Sequence, residues 1–424
     1  MGEHKLYNIG DYQKKWKYKL EEFAIMGDKV PPERVTKIEI YSDYEKNAYP
    51  IIKIVVVLEA SRYYTLLENK NDAKIHLRLQ KYYAINDEKE YSMADDFIND
   101  MFQLILDDND QDLGDLQRRN NASGDFKNMR VSDLNDANEA SNEIELFLYK
   151  SDIVKAMNTK SINQVYTGVT VGDVVGHIFS EAGVDNVLMT PPDNTDNIDT
   201  MMVPSMPLMS ALRYVDSYHG LYKNGSMMFF DIDRTYVLNY RGACSAWEPD
   251  EIKDVQIIVP SATKIHSTET CTIERDDEPP KTFYIVADYR GLNIRNDSIS
   301  NDIFSSNNIQ YLSNYSGDHS TDRISRSDSN ATTELRENRT ENRYIGNTFT
   351  SQTGDTGNTI EVVLSDYDGD MVKPNKKFNL SFEDSSISKN FNSEYIVVNK
   401  NTSFIKDGDS FKISSVIRLK ETLS

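Results

Sequence analysis

Cysteine is scarce in this chain of 424 residues, which contains two, Cys244 and Cys271. Two cysteines cannot form the disulfide framework of a small secreted domain, and no C-x-x-C pair is present to indicate zinc or redox chemistry. The six histidines are scattered along the chain. We therefore expect two plain buried thiols, no bound metal and no cofactor.

Long apolar runs are missing as well. The most apolar stretch, 51–58 (IIKIVVVL), contains a lysine and is far shorter than the roughly 20 residues that a membrane-spanning helix needs. The N-terminal stretch MGEHKLYNIGDYQKKWKYKL lacks the apolar core of a secretory signal. We therefore expect a soluble protein that does not insert into membranes and is made in the cytoplasm.

Basic residues are few relative to acidic ones, since 47 Lys and Arg stand against 68 Asp and Glu and give a formal net charge of −21. A protein that grips nucleic acid needs clustered Lys and Arg to neutralise the phosphates. Anionic membranes attract basic segments for the same reason. We therefore expect neither specific nucleic-acid binding nor adsorption to a membrane surface.

Signatures of catalysis are absent from the sequence, which contains no G-x-x-x-x-G-K-[ST], H-E-x-x-H or G-x-S-x-G. The stretches 108–119 and 366–377 contain alternating acids, as calcium loops do. However, Arg119 and Lys377 stand where a glutamate should close such a loop. We interpret both stretches as solvated acidic loops and expect a protein that is not an enzyme.

Strand patterns are present near both ends of the chain. Ile75, Leu77 and Leu79 alternate with polar residues, which is the period-two pattern of a half-buried strand. The stretches 377–383 (KFNLSFE) and 411–419 (FKISSVIRL) repeat this alternation near the C-terminus. We predict a compact antiparallel sheet or small barrel near the N-terminus and a second sheet block of similar length near the C-terminus.

Residues predicted to form the cores or interfaces of these two barrels share an inward position in a strand or a proline at a turn. They are Ile38, Ile40, Pro50, Ile54, Ile75, Leu77, Leu79, Pro374, Phe378, Leu380, Phe382, Phe411, Ile413, Ile417 and Leu419. Ser415 is the one polar residue that interrupts the apolar face of the last strand.

The middle of the chain predicts two helices and a hairpin. Thr170 can cap the first helix together with Asp173, and Gly183 ends it. The second helix ends at Gly220. The apolar stripes of the two helices are formed by Val171, Val175, Ile178, Phe179, Leu208, Leu212 and Val215. The Asn-Gly pair at 224–225 then predicts a tight turn between two strands.

Two further helices are predicted from apolar spacing. One covers 12–23 (YQKKWKYKLEEF) in an N-terminal extension. The other covers 92–106, where Ser92 can act as a cap and Phe97, Met101 and Ile105 follow at spacings of four.

The predicted fold class is therefore mainly β, with two small antiparallel β-barrels that flank a mixed α/β middle domain. The predicted units are an N-terminal extension at 1–29, a first barrel with its following helix at 30–106, a polar linker at 107–142, an α+β middle domain at 143–250, a β-rich middle segment at 251–310, a polar insertion at 311–358 and a second barrel at 359–424.

The order of these units resembles the central baseplate hub of contractile-tailed bacteriophages, a family shared with the hub portion of type VI secretion spikes. Three stretches carry the resemblance. The stretch 35–82 looks like a first tube-forming barrel, and 368–420 looks like the closing tube barrel. Between them, 170–232 contains a helix, a linker, a second helix that ends near glycine, and a hairpin.

This resemblance implies a homotrimer in which two tube-like barrels per chain form a pseudo-sixfold ring around a channel for DNA passage. The implied partners are the tail tube protein, the central spike protein, other baseplate proteins and the tape measure protein. The implied location is the tail baseplate of the virion, after synthesis in the host cytoplasm. The acidity of the chain would then keep DNA from sticking to the channel wall, or serve solubility alone.

Other interpretations stay open at the level of the sequence. The chain could be a peripheral receptor-binding or glycan-binding tail protein, because its many Tyr and Asn suit contacts with sugars. It could be a hub with an embedded cell-wall hydrolase, or the hub of a contractile injection system that is not a phage. The two terminal blocks could also be unrelated β-domains.

Overall fold

The computed structural model describes residues 5–7, 16–45, 47–69, 73–84, 91–105, 141–158, 161–222, 225–239, 254–259, 271–273, 282–297, 309–311, 324–326, 357–374, 376–382, 391 and 393–422. The predicted acidic loop at 108–119, Cys244 and most of the insertion at 311–358 lie outside these residues.

The strands of the described residues are β1 Lys5–Tyr7, β2 Trp16–Ile25, β3 Asp28–Lys29, β4 Val35–Asp43, β5 Ile51–Glu59, β6 Lys74–Ala84, β7 Tyr91–Ile105, β8 Ser141–Lys150, β9 Ile162–Tyr166, β10 Val169–Thr170, β11 Val187–Met189, β12 Asn197–Ile198, β13 Met201–Met206, β14 Ser226–Phe230, β15 Thr235–Asn239, β16 Asp254–Val259, β17 Cys271–Ile273, β18 Thr282–Asp297, β19 Ile309–Tyr311, β20 Ile324–Arg326, β21 Gly357–Ser365, β22 Lys377–Phe382, β23 Glu394–Asp407 and β24 Ser410–Glu421. The helices are α1 Ala60–Glu68, α2 Ser151–Met157, α3 Val171–Glu181 and α4 Leu208–His219. The predicted mainly-β class with a closed barrel is confirmed.

Eight antiparallel strands close into a barrel in the order β24-β23-β4-β5-β8-β7-β6-β2. The ring closes where β2 meets β24 through the pair Tyr18 and Phe411. We call this ring the first barrel. Its strands come from both ends of the chain, so the first barrel is not made from the N-terminal block alone.

A second ring runs β22-β16-β18-β21-β24-β23 and closes through a short pairing of β22 with β23. In this ring β16 is parallel to both β18 and β22, whereas the other pairs are antiparallel. Strands β23 and β24 belong to both rings. The C-terminal hairpin is therefore a shared wall that fuses the two rings into one sheet system.

The strand pairings cross the predicted unit boundaries at three places. Strand β2 falls in the predicted extension at 1–29 but pairs with β6 and β24. Strand β8 begins at the end of the predicted linker but pairs with β5 and β7. Strands β23 and β24, in the predicted second barrel, also complete the first.

The predicted helix at 12–23 is wrong, because residues 16–25 form strand β2. Tyr18 and Leu20 point into the barrel, as alternation requires. The register then shifts between Leu20 and Glu22. Phe23 is buried, where strict alternation would have buried residue 22. This β-bulge breaks the period of two. The resulting spacing of three between Leu20 and Phe23 imitates a helical stripe.

The predicted helix at 92–106 is wrong for the same reason, since residues 91–105 form strand β7. Leu79 pairs with Ile98 but Gln80 pairs with Asp96, so Phe97 is the extra residue of a bulge. The spacing of four from Phe97 to Met101 that suggested a helix fits a strand as well, because it is an even number, and the two residues differ in burial, since Phe97 packs against the core and Met101 is 41% exposed. Pairing with β6 along most of its length supplies the backbone hydrogen bonds instead.

The middle segment, residues 151–239, has a core of its own and contains the two predicted helices. The predicted capping box is confirmed, because the Thr170 hydroxyl accepts from the Asp173 N–H and the Asp173 carboxylate accepts from the Thr170 N–H. Gly183 and Gly220 follow the helices with positive φ of 71° and 64°. Such angles suit glycine, which has no Cβ.

Strands β14 and β15 form a hairpin that turns at Asp231–Arg234 and not at the predicted pair 224–225. In that turn the Asp231 carboxylate accepts from the Ile232 N–H, and the Asp233 carboxylate accepts from the Arg234 N–H. Short acidic side chains that bind the following backbone are a common way to build turns. Gly225 precedes β14, and Asn224 lies outside the described residues.

Candidate functional site

The segment Asp366–Pro374, which joins β21 to β22 and which we call the junction loop, is the centre of the candidate site. It reaches from the second ring to the inner face of the first barrel. Tyr18 of β2, Lys81 of β6 and Lys400 of β23 all bind it. The junction loop therefore ties three strands of the first barrel to the second ring.

Tyr18 anchors the loop at the seam of the first barrel. Its hydroxyl accepts from the Gly369 N–H at 2.9 Å and lies 3.3 Å from the Tyr367 carbonyl, to which it donates. Its ring makes edge contacts with Phe97 and Phe404 at centroid distances of 5.2 and 4.9 Å. Burial raises the pKa of Tyr18 well above its ordinary value, so this hydroxyl keeps its proton.

Gly369 passes so close to the barrel wall that no side chain fits. A Cβ at this position would lie 2.9 Å from the Phe97 ring and 3.1 Å from the Ile413 side chain. The loop can therefore reach Tyr18 only because residue 369 is glycine.

Lys81 forms ion pairs with two carboxylates of the junction loop, at 3.0 Å to Asp368 and 2.6 Å to Asp370. Burial acts to lower the pKa of Lys81, but the charges of Asp370 and Asp368 outweigh it and raise the pKa. Burial raises the pKa of Asp368 in spite of the Lys81 charge. The pair is thus partly desolvated, and loss of either partner would leave a buried charge.

Lys400 points inward from β23 and binds the junction loop through its backbone. Its Nζ donates to the Gly369 carbonyl at 3.0 Å and to the Val372 carbonyl at 2.8 Å. Burial lowers the pKa of Lys400, although the carboxylates of Asp231 and Asp370 act in the opposite direction. Lys400 therefore fixes the path of the loop.

Three buried hydroxyls connect the loop to the shared hairpin. Tyr367 donates to Ser415 at 2.7 Å, and the Ser415 and Thr402 hydroxyls lie 2.9 Å apart. Ser415 and Thr402 expose 0% and 2% of their surfaces. Ser415, the polar residue that interrupts the apolar face of the last strand, is thus hydrogen-bonded where the two rings share their hairpin.

The hairpin turn Asp231–Arg234 of the middle segment meets the same region. The Tyr44 hydroxyl donates to the Asp231 carboxylate at 2.8 Å. The Asp233 carboxylate accepts from Lys373 at 3.1 Å and from Tyr236 at 2.8 Å. The turn therefore binds both the first barrel and the junction loop.

Among the acids of this region, Asp231 has the most strongly raised pKa. Burial and the charge of Asp233 raise the pKa of Asp231 to about 6, against the charge of Lys400. A cavity of about 60 Å³ lies among Asp231, Asp370, Lys373 and Lys400. It has room for a few water molecules at most, so the junction binds parts of the chain to one another rather than a substrate.

A second concave region, the outer groove, lies on the outside of the first barrel. It has a volume of about 430 Å³ and is lined by Lys37, Glu39, Tyr41, Ser42, Asp43, Asn47, Ile51, Lys53, Asn399 and Asn401. Glu39 is its centre, with Lys37 at 2.6 Å and Lys53 at 3.6 Å. Burial would raise the pKa of Glu39, but the hydrogen bond and charge of Lys37 hold it below its ordinary value. The groove is a preorganised polar surface.

Within the residues that the structure describes, no group of three or more His, Cys, Asp and Glu is arranged to hold a metal ion. Asp366, Asp368 and Asp370, part of the predicted acidic loop at 366–377, lie in the junction loop, where Lys81 binds the latter two. None of the described helices has the length and apolarity to cross a membrane.

The structure places every residue that was predicted for a barrel core or interface inside the protein. The apolar ones, which expose no more than 6% of their surface, are Ile38, Ile40, Ile54, Ile75, Leu77, Leu79, Phe378, Leu380, Phe382, Phe411, Ile413, Ile417 and Leu419. Pro50 and Pro374 are also buried. The helical residues Val171, Val175, Ile178, Phe179, Leu208, Leu212 and Val215 are buried in the core of the middle segment. That any of these residues contacts another copy of the chain stays a prediction.

The junction residues were missed by sequence reasoning, although a signal for two of them exists. Lys81 continues the inward series of Ile75, Leu77 and Leu79 at the next alternate position. Lys400 likewise precedes the inward residues Thr402 and Phe404. A lysine in an apolar alternation indicates a buried partner, but not which one.

A family model described as the bacteriophage PBS1 gene 109 protein matches residues 11–422 of the chain. No curated protein matches it.

Several solved structures are similar to this chain over most of its length. The tail protein from Neisseria meningitidis MC58 is 12% identical, with 95% of this chain and 96% of that chain covered and a TM-score of 0.48. The 43 kDa tail protein of prophage MuSo2 from Shewanella oneidensis is 9% identical, with 96% and 97% covered and a TM-score of 0.43. An Escherichia coli component of the type VI secretion system is 9% identical, with 96% and 77% covered and a TM-score of 0.44.

Proposed function

Because the chain belongs to the family of the bacteriophage PBS1 gene 109 protein, we propose that it is the structural hub of a phage tail baseplate. In this role three copies form a ring that joins the tail tube to the central spike. The family match carries the proposal, since it includes both rings and the middle segment. The role is structural and requires no catalytic residue and no cofactor.

The proposed channel for DNA lies between copies, not inside a barrel. The interior of the first barrel is filled by side chains such as Leu77, Phe102 and Phe404, each of which is 0% exposed. A packed barrel of this size leaves no lumen. DNA would therefore pass along the threefold axis that the three copies surround.

The two rings of each chain support the proposal that a trimer can bind both a threefold central spike and a sixfold tail tube. Three chains with two rings each present six rings around one axis. The rings differ in strand number and share a hairpin. Sixfold matching to a tail tube would therefore rest on similar outer surfaces and not on identical barrels.

The net charge of −21 per chain supports passage of DNA without binding. Three copies carry about three times this charge, and a wall of like charge repels the phosphate backbone. The proposed partners are the tail tube protein, the central spike, other baseplate proteins and the tape measure protein. The proposed location is the baseplate of the virion, after synthesis in the host cytoplasm.

The mass of the purified protein in solution tests the proposal directly. A trimer of the 48.6 kDa chain has a mass of about 146 kDa, which light scattering separates clearly from a monomer. Image reconstruction of assembled tails should then place the chain on the threefold axis below the tube. A stable monomer that never enters such a ring would argue against the hub.

One observation favours a second function, a peripheral glycan-binding tail protein. The outer groove combines the Tyr41 ring with the amides of Asn47, Asn399 and Asn401, and sugars bind aromatic faces and amides. Titration calorimetry with cell-wall fragments, using wild type and Tyr41→Ala, tests this alternative. Saturable binding that the variant loses would favour it over the hub.

A further inference from the structure

The turn Asp231–Arg234 holds the middle segment against the first barrel through charges that are unusually crowded. Three carboxylates, those of Asp231, Asp233 and Asp370, surround the cavity of about 60 Å³. Two lysines, Lys373 and Lys400, face them from the junction loop and from β23. Within the described residues Asp233 pairs with Lys373 and Arg234, and Asp370 pairs with Lys81, whereas Asp231 forms no ion pair.

Every element packed against the turn contributes a group that faces Asp231 or its neighbours. The loop after β4 contributes Tyr44, and β15 contributes Tyr236. Within the turn, the Arg234 Nε lies 3.6 Å from the Asp233 carboxylate. On the barrel side, Lys150 donates to the Ile232 carbonyl at 2.7 Å and pairs with Asp100 at 3.1 Å. Lys81 pairs with Asp368 and Asp370.

The hydrogen bonds of the turn allow one of its acids to become neutral without loss of contact. Asp231 accepts from the Tyr44 hydroxyl and from the Ile232 N–H. A protonated carboxyl keeps one acceptor oxygen and gains a donor. The two bonds use different oxygens, Oδ2 for Tyr44 and Oδ1 for Ile232. A proton taken up on Oδ2 would remove the repulsion between Asp231 and Asp233 and let Asp231 donate to the Tyr44 hydroxyl, while Oδ1 still accepts from the Ile232 N–H.

We propose that the turn Asp231–Arg234 is a latch between the middle segment and the first barrel, held by Tyr44, Lys150 and Lys373 and tightened by uptake of one proton at Asp231. The latch is firm in mildly acidic solution and weaker at neutral pH. Aromatic contacts, such as Tyr44 with Phe229 at 4.4 Å, keep β14 in place when the turn lifts. The latch goes beyond the hub function and does not depend on it.

The direction of the pH effect follows from the acid itself. Burial and Asp233 raise the pKa of Asp231 to about 6 in the closed latch, whereas an open, solvated turn would return it to about 3.9. The closed form therefore binds the proton more tightly, and acidification favours closing. At pH 5, one unit below the raised pKa, the closed form should be favoured about tenfold more than at pH 7.5.

Hydrogen exchange of the full chain, followed by mass spectrometry of peptides that cover residues 226–239, tests the latch. After correction for intrinsic exchange, wild-type protection of the turn should rise about tenfold from pH 7.5 to pH 5. Asp231→Asn, which imitates the neutral acid, should be as protected at pH 7.5 as wild type is at pH 5. Its protection should not change with pH.

Two variants complete the experiment. Asp152→Asn is the matched control, because Asp152 is an exposed acid of the same segment paired with Lys155, and it should behave as wild type. Lys373→Met should speed exchange of the turn at both pH values. Wild-type protection that stays constant or falls on acidification, or an Asp231→Asn variant that keeps the wild-type pH response, would overturn the proposal. Wild-type protection that fails to rise on acidification overturns the proposal even if a variant does not fold.

Discussion

At the scale of single residues, Gly369 and the two lysines Lys81 and Lys400 make contacts at the junction loop that a larger side chain or another charge could not make. Gly369 lies against the Phe97 ring and gives its N–H to Tyr18, so its lack of a Cβ sets the distance between the junction loop and the barrel. Lys81 and Lys400 hold the same loop from opposite strands. The attachment of the junction loop to the first barrel therefore depends on a few close contacts.

Gly369→Ala should destabilise the protein by about 1–3 kcal/mol, the usual cost of adding a methyl group to a packed site. The new Cβ would meet the Phe97 ring at 2.9 Å, and Phe97 is itself held by Tyr18 and Phe404. Denaturant unfolding measures the change. Gly176→Ala is the control, because a Cβ at this helical position meets nothing within 4 Å, and it should stabilise the helix by about 0.5–1 kcal/mol. Equal stabilities of the two variants would contradict the packing argument.

Asp216 and Asp173 should respond to pH with opposite signs. Burial raises the pKa of Asp216, whose carboxylate accepts from the Leu221 N–H and the Ser226 hydroxyl. Its contribution to stability is therefore lost as pH rises through the raised pKa. The hydrogen bonds from Thr170 lower the pKa of Asp173, so its contribution is lost as pH falls.

Thermal unfolding at pH 7 and pH 4 measures both effects. Asp216→Asn should raise the stability at pH 7, because an amide keeps the acceptor without the buried charge. Asp173→Asn should lower it, because a carboxylate in the capping box is lost. A loss of stability at pH 7 in both variants would show that burial does not dominate at Asp216.

At the scale of elements, β2 is the strand that closes the first barrel. It pairs along nearly its whole length with β6, but it meets β24 through one residue pair. Without β2, the edges of β6 and β24 would be open to other chains. The strand that looked like part of an N-terminal extension is therefore a structural requirement of the barrel.

A chain that starts at Met26 should fail to form the barrel and should aggregate, because β6 and β24 would present unpaired edges. Size-exclusion chromatography and circular dichroism test this expectation. The control starts at Trp16, lacks the short β1 and retains β2. If both truncated chains gave the same folded species, β2 would not be needed for closure.

The elements that were predicted correctly are those with local determinants. Helix α3 follows from its capping box at Thr170 and its apolar stripe, and Gly183 marks its end within the same short stretch. Strand β2 was missed because a bulge at Glu21 shifted the alternation to a helix-like spacing, and β7 was missed because its spacing of four fits a strand as well as a helix. A pattern of period two cannot reveal a bulge unless the partner strand is known.

The junction could not be predicted because its partners are far apart in the chain. Lys81 and Asp368 are separated by 287 positions, and Tyr18 and Gly369 by 351. Alternation indicated that Lys81 faces inward among apolar residues, but no local feature names the acid that it meets. The core positions were therefore predictable from the sequence, whereas the polar contacts that join the rings were not.

At the scale of the whole molecule, the shared hairpin makes the two rings one cooperative unit. Strands β23 and β24 contribute to both rings, and one hydrophobic core extends through both. If the hairpin detaches from one ring, the other ring opens as well. The middle segment has a second core around helices α3 and α4. Its residues Leu188, Met227, Phe229, Tyr236 and Leu238 are nevertheless buried in the core of the rings.

Calorimetry should accordingly show one unfolding transition for the two rings together. Hydrogen exchange of β4 and β21, one from each ring, should report the same free energy of opening. The middle segment, with its own core, can open at a lower free energy. Two separate transitions that divide β4 from β21 would contradict a single cooperative unit.

The late position of the shared hairpin in the sequence also affects how the protein folds during synthesis. A ribosome makes β23 and β24 after the other strands of both rings, so β2, β4, β21 and β22 each lack one neighbour until this hairpin emerges. Pairings between such distant segments form slowly, and waiting edges are prone to mispair. Successful production in the cell should therefore depend on protection of the nascent chain, and any stop codon before β24 should yield no usable fragment of either ring.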